Sequence, residues 1–93
     1  MLKFQSSTLY RVKEGQTLKE IAEAFSVSAF LLVKINGLPS EPFVGQILEI
    51  PKERGHAYFV KAGDTKALLC GSEENFLRKN GTDVFYIGMR VVL

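Results

Sequence analysis

The 93-residue chain contains no Trp, one Cys and one His, and its two charge signs nearly balance. Each of these shortages removes a class of answer. A single Cys70 cannot close an internal disulfide, so packing alone must hold the fold. His56 is the only His, so neither a Cys–His nucleophile pair nor a metal site of ordinary ligand spacing can be assembled, and no cofactor is expected. Twelve Lys and Arg against ten Asp and Glu leave a net charge of +2, scattered along the chain, which gives no electrostatic footprint for nucleic acid. The longest apolar run, Ala29-Phe30-Leu31-Leu32-Val33, is closed by Lys34 and falls far short of the ~20 residues that span a bilayer, so no membrane insertion is expected. The start, Met1-Leu2-Lys3-Phe4-Gln5-Ser6-Ser7-Thr8, lacks the apolar stretch of a secretory signal, and no export signal or compartment is implied.

What is present is an internal repeat. Tyr10-Arg11-Val12-Lys13-Glu14-Gly15-Gln16-Thr17 aligns without a gap on Tyr58-Phe59-Val60-Lys61-Ala62-Gly63-Asp64-Thr65. Further on, Asn36-Gly37 aligns with Asn80-Gly81 and Gly45 with Gly88, the second copy being a few residues shorter. The boundaries that follow are residues 9–51 and 57–93, joined by a short polar connector at 52–56.

Within the first unit, Leu9 to Val12 reads as a strand ended by the turn pair Glu14-Gly15. Thr17 and Glu20 form a T-x-x-E capping box that starts a helix. Leu18, Ile21, Ala22 and Phe25 make its apolar stripe, with Lys19, Glu20 and Glu23 toward water. Ser28 caps a second helix that runs to Ile35 and closes at Asn36-Gly37, beyond which Pro39 prevents continuation. Ile47 to Ile50 is a second strand, stopped by Pro51. The second unit repeats the order: Ala57–Lys61, a helix at Lys66–Cys70, a helix at Glu73–Lys79 and Arg90–Leu93. The fold class expected is α+β, two small βααβ units, each a two-stranded antiparallel sheet packed on two helices.

The series Tyr10-x-Val12-x-x-Gly15-x-Thr17-Leu18-x-x-Ile21-Ala22, then Val27-Ser28, Leu32, Asn36-x-Leu38 and Gly45-Gln46-x-Leu48-x-Ile50-Pro51 resembles the LysM, or lysin motif, family. The second unit resembles a divergent tandem copy that keeps Tyr58, Val60, Gly63, Asp64, Thr65, Leu69, Asn80, Gly88 and Val91 but has Thr82 in place of Leu and no terminal Pro. The resemblance implies non-catalytic binding of N-acetylglucosamine glycans, peptidoglycan or chitin, in a shallow groove between two loops. On this chain those loops are Gly15, Gln16, Thr17 and Leu18, and Asn36, Gly37, Leu38 and Pro39 with the residues approaching Ile47. The second-unit counterparts are Gly63, Asp64, Thr65 and Lys66 against Asn80, Gly81, Thr82 and Asp83. Such a sugar is uncharged and offers amides, hydroxyls and a methyl, so glycine loops and a small apolar shelf suffice to hold it.

Bland roles stand beside these. The glycines serve turns, Thr17 and Thr65 cap helices, and Asn36 and Asn80 end them. Tyr10 and Tyr58 favour half-buried packing with a surface hydroxyl, and Cys70, aligned with Ala22, a buried inert thiol. No residue constellation supports catalysis. The competing function is a structural protein whose lysin motifs mediate protein assembly, as in spore coats or phage tails, with a protein as partner. Phe85-Tyr86 in the last loop is open to three readings: filling the contact between the units, replacing the missing groove of the second unit, or binding a protein.

Overall fold

The computed structural model describes residues 7–51 and 55–93, so positions 52–54 of the expected connector and the N-terminal six residues lie outside the described residues. The elements are β1 (Ser7–Arg11), α1 (Leu18–Phe25), α2 (Ala29–Asn36), β2 (Ile47–Pro51), β3 (Ala57–Phe59), α3 (Lys66–Cys70), α4 (Glu73–Asn80) and β4 (Arg90–Val92). β1 pairs antiparallel with β2, Tyr10 opposite Leu48, and β3 pairs antiparallel with β4, Tyr58 opposite Val91. The described residues therefore form a small α+β fold with two two-stranded sheets and four helices.

The helix signals act as sequence chemistry requires. Thr17 Oγ1 accepts the Glu20 N–H at 3.2 Å while Glu20 Oε1 accepts the Thr17 N–H at 3.0 Å, completing the capping box. Ser28, Thr65 and Ser72 cap the other three helices, and Gly37, Gly71 and Gly81 close them in the left-handed region. Ser26 closes α1 at φ 58° although it is not glycine, and the Val27 N–H reaches back to the Ala22 carbonyl at 3.0 Å. Strand β3 ends at Phe59, two residues earlier than expected. The Val60 N–H bonds to the Met89 carbonyl and the Gly88 N–H to the Val60 carbonyl, so the ladder passes into a turn there.

Two cores form. Val12, Leu18, Ile21, Ala22, Val27, Leu32, Leu48 and Ile50 are buried together in the first half, with Tyr10, Phe25, Ala29 and Leu38 packed around them. Val60, Phe76, Met89 and Val91 form the second, flanked by Tyr58, Leu69, Cys70, Phe85 and Leu93. The halves meet along a seam. Ser28 Oγ donates to the Asn80 carbonyl at 2.6 Å, Arg90 Nη1 donates to the Val27 carbonyl at 3.1 Å, and the Gly55 N–H donates to the Ser26 carbonyl at 3.2 Å.

An asparagine locks the last helix of each half to the strand after it. Asn36 Nδ2 donates to the Leu32 and Glu49 carbonyls, and its Oδ1 accepts the Glu49 N–H. Asn80 does the same with Phe76 and Val92. The difference is water, because Asn36 is half-buried and Asn80 is 1% exposed. Removing the Asn80 amide strands the Val92 N–H in the interior, where an unmade bond costs ~1–3 kcal/mol, whereas solvent can replace Asn36. Chemical denaturation of Asn80→Ala is expected to show a loss of about 2 kcal/mol or more, and of Asn36→Ala about half that or less. Equal losses would contradict the burial argument.

Candidate functional site

The first of the two loops is a tight turn, Lys13 to Gln16, with the Gln16 N–H on the Lys13 carbonyl at 3.2 Å and Gly15 at φ 84° in its third position. That is the type II pattern, and it requires glycine for its conformation, since a Cβ there would meet no atom. Gln16 fastens the turn: its Oε1 accepts the Lys13 N–H at 2.8 Å and the Tyr10 hydroxyl at 2.7 Å. Tyr10 is half-buried, edge-on to Phe25 with ring centroids 5.2 Å apart. Thr17 is exposed and spends its hydroxyl on the helix cap, and the Leu18 side chain is buried in the core.

The second loop spans 37–46. Gly37 takes φ 61°, the Leu38 N–H returns to the Val33 carbonyl at 3.1 Å with the Leu38 side chain against the core, and Pro39 is exposed. Asn36 uses its amide on the backbone, as described. Ile47 is 46% exposed where β2 begins.

Three sets of bonds tie the loops together. Glu41 Oε1 accepts the Leu18 N–H at 2.8 Å, placing a carboxylate at the start of α1, where the helix dipole favours it. The Val12 N–H bonds to the Gln46 carbonyl and the Gly45 N–H to the Val12 carbonyl. Arg11 Nη1 adds a bond to the Gly45 carbonyl at 3.3 Å. Backbone and side chains thus hold Gly15, Thr17 and Pro39 exposed on loops pinned to one another. Glu41 is a site residue the sequence reading misses, because no local pattern announces a contact made across 23 positions.

The second half builds the first turn in the same way. Lys61 to Asp64 closes through the Asp64 N–H on the Lys61 carbonyl, with Gly63 at φ 92°. Asp64 Oδ2 accepts the Lys61 N–H and the Tyr58 hydroxyl, both at 2.7 Å, so it stands where Gln16 stands. Thr65 caps α3, the Lys66 amine lies 5.5 Å over the Phe76 ring, and Asp83 is exposed. Thr82 Oγ1 accepts the Val84 N–H, while Asn80 is buried and Gly81 lies against the first half.

The Asp64 carboxyl is held below its ordinary range, first by the Lys61 N–H and then by the Tyr58 hydroxyl. The Tyr58 hydroxyl is pushed up, chiefly by its bond to Asp64. A carboxyl depressed by folding contributes stability above its unfolded value, and that contribution is lost as pH falls through the folded one. The Lys61–Asp64 turn is therefore expected to loosen below about pH 4, the ordinary carboxylate range, while the Gln16 turn is unaffected. Amide shifts of Lys61 and Lys13 followed into acid check this, and a parallel response of both turns would contradict it.

Other groups have structural surroundings. Cys70 is half-buried beside the second core, and burial pushes its thiol up, away from the nucleophilic thiolate, against a smaller opposite effect of Lys79. Glu20 is engaged in its capping box. Among the described residues no three His, Cys, Asp or Glu side chains gather, and no helix is long and apolar enough to cross a membrane. A cleft of about 180 Å³, lined by Leu31, Ile35, Pro51, Gly55 and Val92 among others, lies on the seam and away from the loops.

Residues 10–51 match the LysM domain model. The LysM domain is a binding module, and its members bind glycans containing N-acetylglucosamine. Comparison with curated protein sequences finds no match. Solved structures similar to the chain include two spore cortex-lytic enzymes. One is the spore cortex-lytic enzyme SleL of Bacillus megaterium QM B1551, with 30% identity over 95% of this chain and 22% of that one at a TM-score of 0.47. The other is the spore cortex-lytic enzyme SleL of Bacillus cereus, with 19% identity over 96% of this chain and 23% of that one at a TM-score of 0.48. The chain thus spans less than a quarter of the length of either enzyme.

Proposed function

We propose that this protein is a non-catalytic binding module for N-acetylglucosamine-containing glycans of the cell wall, and that its second half is a divergent second LysM unit. The observation that carries the reading is the coincidence of the LysM match over residues 10–51 with two mutually pinned loops that hold Gly15, Thr17 and Pro39 at the surface. The sugar lies between them, contacting backbone at Gly15, Leu18, Asn36 and Gly37 and apolar surface at Leu38, Pro39 and Ile47. In the second half Gly63, Asp64, Thr65 and Lys66 take the corresponding places on the first loop, while Asn80 and Gly81 are covered by the first half and take no part.

Such a site is weak alone, since few of its groups become fully desolvated, and two units on one repeating glycan gain through effective concentration. The test is retention of the chain on insoluble peptidoglycan and on chitin, with amide shifts followed as N-acetylglucosamine oligomers are added. Shifts are expected at 15–18 and 36–38, and Pro39→Asp is expected to weaken retention without unfolding the chain. Failure to be retained on either glycan would overturn the reading and favour protein assembly.

A further inference from the structure

Helix α2 carries six apolar side chains among its eight residues, Ala29-Phe30-Leu31-Leu32-Val33-Lys34-Ile35-Asn36, yet only Leu32 is buried. A helix that is apolar on every side belongs in an interior, and this one lies at a surface. Phe30 is 47% exposed, Val33 36% and Ile35 40%. Helix α4 packs beside it, and between the two lies an open groove of about 610 Å³. Leu31, Lys34 and Ile35 line one wall, and Glu74, Leu77 and Arg78 the other, with Leu77 44% exposed.

The protein contains its own control for this face. Ser28 and Ser72 cap α2 and α4, and Asn36 and Asn80 close them with the same bonds, so the two helices align residue by residue. In that alignment α4 has Glu74, Asn75 and Lys79 where α2 has Phe30, Leu31 and Ile35. The outer side of such a helix therefore accepts polar and charged residues. Leu31 is accounted for by the seam, where its backbone lies against Gly81, but packing within the chain does not call for Phe30 or for the exposed part of Ile35. Phe30 and Lys34, four positions apart, form the crest of α2 beside the groove, and Glu74 stands on the far wall. Neither the Lys34 nor the Glu74 side chain has a hydrogen-bond or ion-pair partner among the described residues. Arg78, by contrast, donates to Asn75 Oδ1 at 3.4 Å on its own helix.

We propose that this face is the contact of a symmetric dimer, in which the α2 crest of each copy enters the α2–α4 groove of the other. Crest and groove lie side by side, so one two-fold axis satisfies both at once. Phe30 covers Leu31, Ile35 and Leu77 of the second copy, and Lys34 meets its Glu74. A strongly acidic or strongly basic partner would leave one of these two charges unmatched, whereas a second copy matches both. A helix laid in the groove between two others is a recurrent mode of association. The patch is small, so the dimer is weak and forms at high micromolar concentration. Neither Phe30 nor the groove belongs to the proposed glycan site, and the inference stands apart from that reading.

The experiment is sedimentation equilibrium of the full chain from about 10 µM to about 1 mM, repeated on Phe30→Asp, Lys34→Glu, Glu74→Lys and the double charge reversal. The mean mass of the parent should rise with concentration from one chain toward two and no further, since a two-fold contact closes. Phe30→Asp should weaken association by about 10-fold or more, with circular dichroism unchanged. Each single charge reversal should weaken it by roughly 3- to 10-fold, and the double reversal should restore it. Amide shifts between dilute and concentrated parent should fall at 30–35 and 74–78. The charge variants lie at exposed positions and decide the matter even where Phe30→Asp perturbs the helix. A parent that stays monomeric throughout overturns the proposal. So does association that survives Phe30→Asp, that grows beyond two chains, or that the charge reversals leave unchanged or fail to restore in the double variant.

Discussion

Replacing Gly81 by Ala is expected to destabilise the chain by about 3 kcal/mol and to lower its thermal midpoint by roughly 15 °C. Two causes add. Gly81 closes α4 at φ 69°, a left-handed conformation that a Cβ disfavours. A Cβ at this position would also lie 2.6 Å from Leu31 Cα and 2.8 Å from the Leu31 nitrogen, and α2 backbone cannot step aside as a flexible side chain can. The displaced seam also carries the Ser28–Asn80 bond at 2.6 Å between buried groups. Gly37 supplies the control. It closes α2 at φ 61°, with nothing within 4 Å of an added Cβ, so Gly37→Ala should cost only the conformational part, about 1 kcal/mol. Equal losses for the two variants would show that the halves do not press together at Leu31. In the amide spectrum, Gly81→Ala should move resonances of both halves, Ser28 and Leu31 included.

Phe76→Ala should cost about 3–5 kcal/mol, the range for emptying an aromatic site in a core. Phe76 is fully buried and meets Phe85 edge-on at 5.4 Å with Lys66 over its face. Among the described residues the other members of its buried cluster are Val60, Met89 and Val91, too few to close over the cavity. The first half has eight buried core residues of its own and does not depend on Phe76. The amide spectrum of this variant is therefore expected to lose dispersion for residues 57–93 and keep it for residues 7–51. Collapse of both halves together would mean that the seam contributes more than the first core.

These effects also separate what is legible along the chain from what is not. The T-x-x-E box at Thr17, the serine caps and the glycine stops set the helices to within a residue, because each is made by groups three or four positions apart. The end of α1 at Ser26 escaped the reading, as a non-glycine in the left-handed region gives no local sign. In the proposed site, the turn at Gly15 and the cap at Thr17 were legible as local conformation, and the LysM match over 10–51 agrees with the motif spacing read in the first half. Glu41 was not, since its partner Leu18 is brought to it only by the packing of α1 against α2 and β2. Phe85-Tyr86 divides in the folded chain: Phe85 joins the second core through Phe76, and Tyr86 stays at the surface.

By itself the sequence determined the order of elements, the positions of the turns and the repetition of both, because caps, type II turns and apolar periods are short-range chemistry. Tertiary structure decided how deeply each repeated residue is buried. Asn36 and Asn80 make the same three bonds, yet only Asn80 is sealed from water, and Gly37 and Gly81 share a conformation, yet only Gly81 touches the opposite half. The physical reason is that equivalent local geometry takes its energetic weight from what packs over it, and here the seam covers the end of α4 while leaving the end of α2 to solvent.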